Sequence, residues 1–266
     1  MQKGILLVAF GSSRQAAHLS LKRFDDAVRR RFPGVPARWA FTSGVVRGKL
    51  ADKGMKTDSV RKALEKMWFE KFTHVAVQSL HIIPGDEYHD LVEDVQRFRG
   101  GERGFERIVL GRPLITNEGD VAAAADAVMR ALPPERRAGE AVVLMGHGTW
   151  HAGDSMYDAL YDELRRRDDN VYVATMDGRL VIEDVTKALA EKGVAKAWLV
   201  PLLAVPGRHV QKDMCGAGPD SWVNILSAAG IQTECVLRGT AEYGDFPNIW
   251  LDHLSEAIAN DAEAPS

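Results

Sequence analysis

The chain has 266 residues, 45% of them hydrophobic and 27% charged, too apolar for a disordered polymer. Its 34 Lys and Arg against 37 Asp and Glu give a formal charge of −3 with the signs interspersed, which argues against a nucleic-acid binder with its basic stripe. The length suits two domains or one large one, with enough chain to bury a full core.

The first apolar run, residues 5–10 between Gly4 and Gly11, is too short for a signal-peptide core or a membrane span, and no later run approaches membrane length. A soluble, cytoplasmic protein with no membrane partner is expected. Cys215 and Cys235 form neither a CxxC pair nor a zinc-ligand series and read as ordinary reduced thiols of such a protein.

Short uninterrupted apolar runs predict strands buried on both faces, and apolar residues three and four apart predict helices between them. Residues 5–10 are the first strand. Ala17, Leu21, Phe24 and Val28 then stripe a helix. A strand over 37–41 precedes a helix carrying Val60, Leu64, Met67, Trp68 and Phe72. Strands over 75–80 and 107–110 alternate with helices over 88–98 and 121–132. The run Pro133-Pro134-Glu135-Arg136-Arg137-Ala138-Gly139 breaks the pattern as an inter-domain linker. Beyond it the order restarts, with strands over 142–145, 171–175, 197–203 and 233–237 and helices over 155–165, 182–190, 222–229 and 249–259. Strands alternating with helices are the signature of a parallel α/β sheet.

The halves resemble each other in detail. Phe10-Gly11-Ser12 answers to His147-Gly148-Thr149, and the stretch ending Ile83-Pro84-Gly85 answers to the one ending Val205-Pro206-Gly207. Continuing that alignment sets Glu87 opposite His209. The offsets, 137 and 122 residues, leave the first half about 15 residues longer, and the Gly-, Lys- and Arg-rich segment 45–56 is the natural insertion. A duplicated α/β domain follows.

Ligands of open parallel sheets bind beyond the carboxyl ends of the strands. In the second half His147, Asp177 and His209 stand there, a set of N and O donors suited to a divalent first-row metal and to proton removal near neutrality. Each alone also has a plain reading as a turn or loop residue. Gly11-Ser12-Ser13-Arg14 either receives an anionic group, through backbone N–H groups, Ser12 and Arg14, or caps the following helix. Arg47, Lys49, Lys53 and Lys56 either recognise carboxylates or form a solvated face. His81 and His89 bracket the Glu87 loop, His89 on the exposed first turn of a helix. Tyr157 and Tyr161 read as a helix stripe, and His18, His74 and His253 as surface residues. GxGxxG, GxxxxGK[ST] and GxSxG are all absent, so no nucleotide or nucleophile elbow is expected.

Four motifs taken together, Leu6-Leu7-Val8-Ala9-Phe10-Gly11-Ser12-Ser13, Ile82-Ile83-Pro84-Gly85-Asp86-Glu87-Tyr88-His89-Asp90, Met145-Gly146-His147-Gly148-Thr149 and Pro206-Gly207-Arg208-His209, resemble the anaerobic sirohydrochlorin cobaltochelatases. These are the CbiK-type class II chelatases, relatives of protoporphyrin ferrochelatase, and the resemblance runs from about Lys3 to the last helix. It implies the chelatase fold, α/β with two Rossmann-like parallel-sheet domains related by pseudo-symmetry, here 1–134 and 135–266, facing a cleft that holds the tetrapyrrole. His147 matches the family histidine that binds the metal and helps remove pyrrole protons, and His209 matches a second one. Asp177 stands where the family usually has a glutamate and is one methylene shorter, so it either coordinates directly or acts through a bridging water. Glu87 matches a cleft carboxylate of the first domain. Some relatives hold haem with a histidine near the position of His89, a match of position only.

The implied activity is ATP-independent insertion of Co²⁺ into sirohydrochlorin in the anaerobic cobalamin pathway. Ser12, Arg14, Arg47, Lys49, Arg112 and Arg208 are the candidate partners of its eight carboxylates. Fe²⁺ insertion for sirohaem and a non-catalytic metal or tetrapyrrole carrier are the alternatives. Homo-oligomerisation stays open.

Overall fold

The computed structural model describes residues 1–100 and 104–262. In the first half, β1 (Lys3–Ala9), α1 (Gln15–Arg31), β2 (Ala37–Phe41), α2 (Gly44–Ala51) and α3 (Val60–Phe69) lead to β3 (His74–Ser79), α4 (Asp86–Gln96), β4 (Arg107–Gly111) and α5 (Glu118–Arg130). The second half runs β5 (Ala141–Gly146), α6 (Ser155–Arg167), β6 (Val171–Thr175), α7 (Ile182–Glu191) and β7 (Lys196–Pro201). A π-helical turn (Val210–Met214), α8 (Trp222–Ala228), β8 (Gln232–Cys235) and α9 (Phe246–Ala262) complete it.

Two four-stranded parallel sheets result, in the orders β2-β1-β3-β4 and β6-β5-β7-β8. Their registers correspond: Ile5 lies opposite Ala37 and Ala76, and Val142 opposite Val171 and Trp198. The strand exits are bonded alike as well. Leu80 donates to the Val8 carbonyl and Leu202 to that of Met145, each at 2.8 Å. Gly85 and Gly207 each donate to the residue two earlier, at 2.9 Å. Gly11 and Gly148 both take positive φ, +90° and +79°, and a Cβ at either would collide with its neighbours, which is why the repeat keeps glycine there. The longer segment of the first half folds as α2, capped by the Ser43 hydroxyl on the Val46 N–H.

Alternate residues of each inner strand feed different cores, as the pleat requires. Leu6 and Val8 pack under α3 and α4, while Val143 and Met145 pack under α7, α8 and the π-helical turn. The other faces, with Ile5, Leu7, Val142 and Leu144, join in one continuous core that spans both sheets. The helices ending each half cross over. α9 packs on β3 and β4, and α5 runs along α6, where Val128 shares a small hollow with Val142, Leu144 and Val200. A buried polar knot fastens the α9 crossing. Asp120 accepts from the Arg112 guanidinium at 3.0 Å and lies 3.1 Å from His253 Nε2.

Two expectations are corrected here. His253 is not a surface residue but is buried against Asp120, because α9 crosses to the other half and turns that face inward. Cys215 and Cys235 are not free thiols. They form a disulfide, 6.4 Å between Cα atoms, because the fold sets the end of the π-helical turn beside the end of β8. Their separation of 20 residues carries no pairing signal of its own.

Candidate active site

The carboxyl ends of β1, β3, β5 and β7 face one another across a cleft of about 480 Å³, within the range of small-molecule sites. Phe10, Leu80, Ile83 and Val205 give it apolar walls, and α2 adds Val45, Val46 and Lys49 at its mouth. The lobes touch at both ends. Gly207 lies beside Ser12 at one end, and at the other the Thr149 hydroxyl donates to Asp86 Oδ2 at 3.1 Å.

His147 leaves β5 into the cleft, and His209 enters it just before the π-helical turn. Their rings meet edge to face with centroids 5.2 Å apart, and Phe10 of the other lobe lies 6.0 Å from the His147 ring. His209 Nδ1 is 2.7 Å from Asp213 Oδ2. A carboxylate only accepts, so Nδ1 carries the proton and the Nε2 lone pair remains for a ligand. The Asp177 carboxylate lies 3.7 Å from His147 Nδ1, is mostly exposed and is not among the cleft-lining groups. Among the described residues no group of three or more His, Cys, Asp or Glu side chains is gathered closely enough to hold an ion. This wall of the cleft is thus an open imidazole pair with carboxylates beside it.

The His147 loop is braced from behind. Tyr157 is buried, and its hydroxyl accepts from the backbone N–H groups of His147 and Gly148; burial outweighs those bonds and pushes the phenol up. The buried Asp154 accepts from Thr149 N and Arg179 N, both at 3.1 Å, tying the loop after β5 to the loop after β6 that carries Asp177. Neither role shows in the sequence, since the partners are backbone groups.

On the facing wall, Glu87 and Tyr88 line the cleft from the first turn of α4. His81 lines it too. Its Nδ1 meets the Ser79 hydroxyl at 2.8 Å, and Nε2 is buried without a partner among the described residues. Burial, and then His147, push its imidazole down to about 4, so it stays neutral near pH 7. His89 packs on His151 of the other lobe, ring centroids 4.0 Å apart.

The expected anion-binding residues divide. Ser12, Arg14, Lys49 and Arg208 line the cleft. Arg47 instead turns back and donates to the carbonyls of Phe41 and Thr42, the latter at 2.8 Å. Arg112 pairs with Asp120 and Glu256. Asp213, outside the expected set, carries one usable signal: it stands four residues after His209, one helical turn on.

Two parallel α/β lobes closing on an apolar cleft, with an imidazole pair on one wall, define the chelatase class of fold. SirB from Bacillus subtilis, solved with Fe³⁺, shares it, with a TM-score of 0.64 over 98% of each chain at 17% identity. The family model described as cobalt chelatase (CbiK) matches residues 3–259. The chain is 52% identical over 258 residues to sirohydrochlorin cobaltochelatase CbiKC of Nitratidesulfovibrio vulgaris, covering 97% of this chain and 91% of that one. It is 31% identical to the sirohydrochlorin cobaltochelatase of Salmonella typhimurium, over 97% of both. The chain belongs to the CbiK cobalt chelatase family. Among the described residues no helix is long and apolar enough to cross a membrane.

Proposed function

We propose that this chain inserts Co²⁺ into sirohydrochlorin without ATP, as an early step of anaerobic cobalamin synthesis. The observation that carries the reading is the His147–His209 pair, 5.2 Å between ring centroids, opening on an apolar cleft between two lobes. Membership of the CbiK family supports it.

Insertion requires an ion stripped of water, two ring N–H protons removed and a macrocycle held so that one face meets the metal. In this reading His147 and His209 take the ion, with Asp177 as the metal-side carboxylate. Two imidazoles hold it firmly enough to displace water, and an open site lets it pass on to four pyrrole nitrogens, where a closed thiolate cage would retain it. His147 and Glu87, on opposite walls, receive the pyrrole protons. The apolar walls face the macrocycle, and Ser12, Arg14, Arg47 and Arg208 meet its carboxylates. Of these, Arg47 must first leave its bonds to the carbonyls of Phe41 and Thr42. Nucleic acid has no part in this reading. It places the enzyme in the cytoplasm, which the Cys215–Cys235 bond speaks against; titrating free thiols in protein quenched directly from cells decides that point.

Turnover is the test. Catalytic protein mixed with excess sirohydrochlorin and limiting Co²⁺ should convert many equivalents of pigment, read by its absorbance, and His147→Ala should lower the rate at least about 100-fold with the fold intact. Conversion that stops at one equivalent makes the protein a carrier. Faster conversion with Fe²⁺ than with Co²⁺ at limiting metal makes it a sirohydrochlorin ferrochelatase.

A further inference from the structure

Beside the cleft, and continuous with it, lies a second groove whose walls come from both lobes. Arg14 before α1 and Lys49 and Lys53 around the end of α2 form one side. Arg208 and Lys212, flanking His209, form the other. Asp52 is the one carboxylate among its lining groups.

Most of these cations differ from others on the molecule. Arg38, Arg130, Arg136 and Arg167 stand against carboxylates. Among the described residues, Arg14, Lys49 and Arg208 make no ion pair. Lys53 Nζ donates to the Ser13 carbonyl at 3.1 Å, and Lys212 Nζ stands 3.8 Å from Asp213 Oδ1. A chain of net charge −3 therefore gathers five cations at one end of its cleft, with Asp52 and Asp213 beside them. At the opposite end the lobe contact is carried by Asp86, with Glu87 next to it. The cleft is polarised along its length, and like charges gathered in excess over their counter-charges repel unless an anion joins them.

We propose that this groove is an anion shelf that takes the carboxylate arms of one edge of the tetrapyrrole, with Lys53 and Lys212 as its outer contacts. The proposal rests on the tetrapyrrole reading above and adds an orientation to it. One carboxylate-bearing edge lies across Arg14, Lys49 and Lys53 of the first lobe and Arg208 and Lys212 of the second, while the opposite edge points toward Glu87. Because the shelf is complete only when both lobes contribute, a bound polyanion ties them together. The macrocycle itself stays in the apolar cleft, and only its arms reach the groove.

Fluorescent metal-free porphyrins test this at equilibrium, without turnover. Uroporphyrin, with eight carboxylates, should bind the unmodified protein more tightly than coproporphyrin, with four. The double variant Lys53→Ala/Lys212→Ala should lose about five- to tenfold in affinity for uroporphyrin and little for coproporphyrin, with each single variant part-way. Its affinity for uroporphyrin should also depend less steeply on salt. Excess inorganic phosphate should compete weakly and equally with both pigments; strong phosphate competition for uroporphyrin alone would make the groove a free-phosphate site and overturn the proposal. Equal uroporphyrin affinity in the unmodified protein and the double variant sinks the shelf and leaves the chelatase reading standing. Failure of the unmodified protein to bind either pigment sinks the tetrapyrrole reading and the shelf with it.

Discussion

At His209 a neighbouring carboxylate decides which nitrogen is left with a free lone pair. Asp213 Oδ2, at 2.7 Å, fixes both tautomer and ring angle, whereas His147 Nδ1 has the Gly148 carbonyl at 3.4 Å and Asp177 at 3.7 Å. The pair is therefore unequal, one imidazole held closely and the other more loosely. Asp213→Ala should raise the Co²⁺ KM about tenfold with a smaller effect on kcat, and Asp213→Asn, still able to accept the N–H, should recover most of it. Equal KM values in all three proteins would remove Asp213 from the site. That His147 and His209 stand at the cleft was legible because strand ends are where parallel sheets bind ligands, and the strands announce themselves as apolar runs. Tyr157 was not, since its partners are amide groups that no side-chain pattern encodes.

Among the elements, the π-helical turn concentrates what the site needs. Val210 and Met214 anchor it in the second core, Asp213 holds His209, and Lys212 reaches the basic groove. Its far end is tied through Cys215 to Cys235 at the end of β8. A cross-link spanning 20 residues stabilises chiefly by restricting the unfolded chain, about 3 kcal/mol for a loop of this size. Cys235→Ser should lower the melting temperature accordingly, and reductant should bring the unmodified protein down to the variant's value. Identical melts of the unmodified protein with and without reductant would show the bond absent in solution. Nothing local in the sequence pairs these cysteines, because the bond depends on how β8 pairs with β7, a long-range matter. α2 went unread as a helix for a different reason: Gly44 and Gly48 weaken its signal, and its cap, Ser43, is a common loop residue.

For the molecule as a whole, the Arg112–Asp120–His253 knot is where the C-terminal helix is fastened. Burial alone would push the Asp120 carboxyl up; hydrogen bonds from His253, Arg112 and Thr116 together outweigh it and hold the group well below the usual carboxylate range. A folded-state value below the unfolded one means that this stabilisation is complete above pH of about 4 and is lost as the pH falls through the folded-state value. Asp120→Asn should cost about 3 kcal/mol at pH 7, measured by urea unfolding, and the gap should narrow in acid. A gap independent of pH would mean that the charge of Asp120 is not what matters.

The crossing of α5 and α9 also bears on what each half is. Every strand of the first sheet lies within residues 1–134 and every strand of the second within 135–266, yet the helix ending each half lies against the other half. Two half-length chains trading their last helices would build the same three-dimensional object, so the single chain has the topology of a fused, domain-swapped dimer. Cut between α5 and β5, the first piece would lose the α9 that packs on β3 and β4, and the second the α5 that runs along α6. Any widening of the cleft must disturb the packing of these two crossing helices on the opposite half.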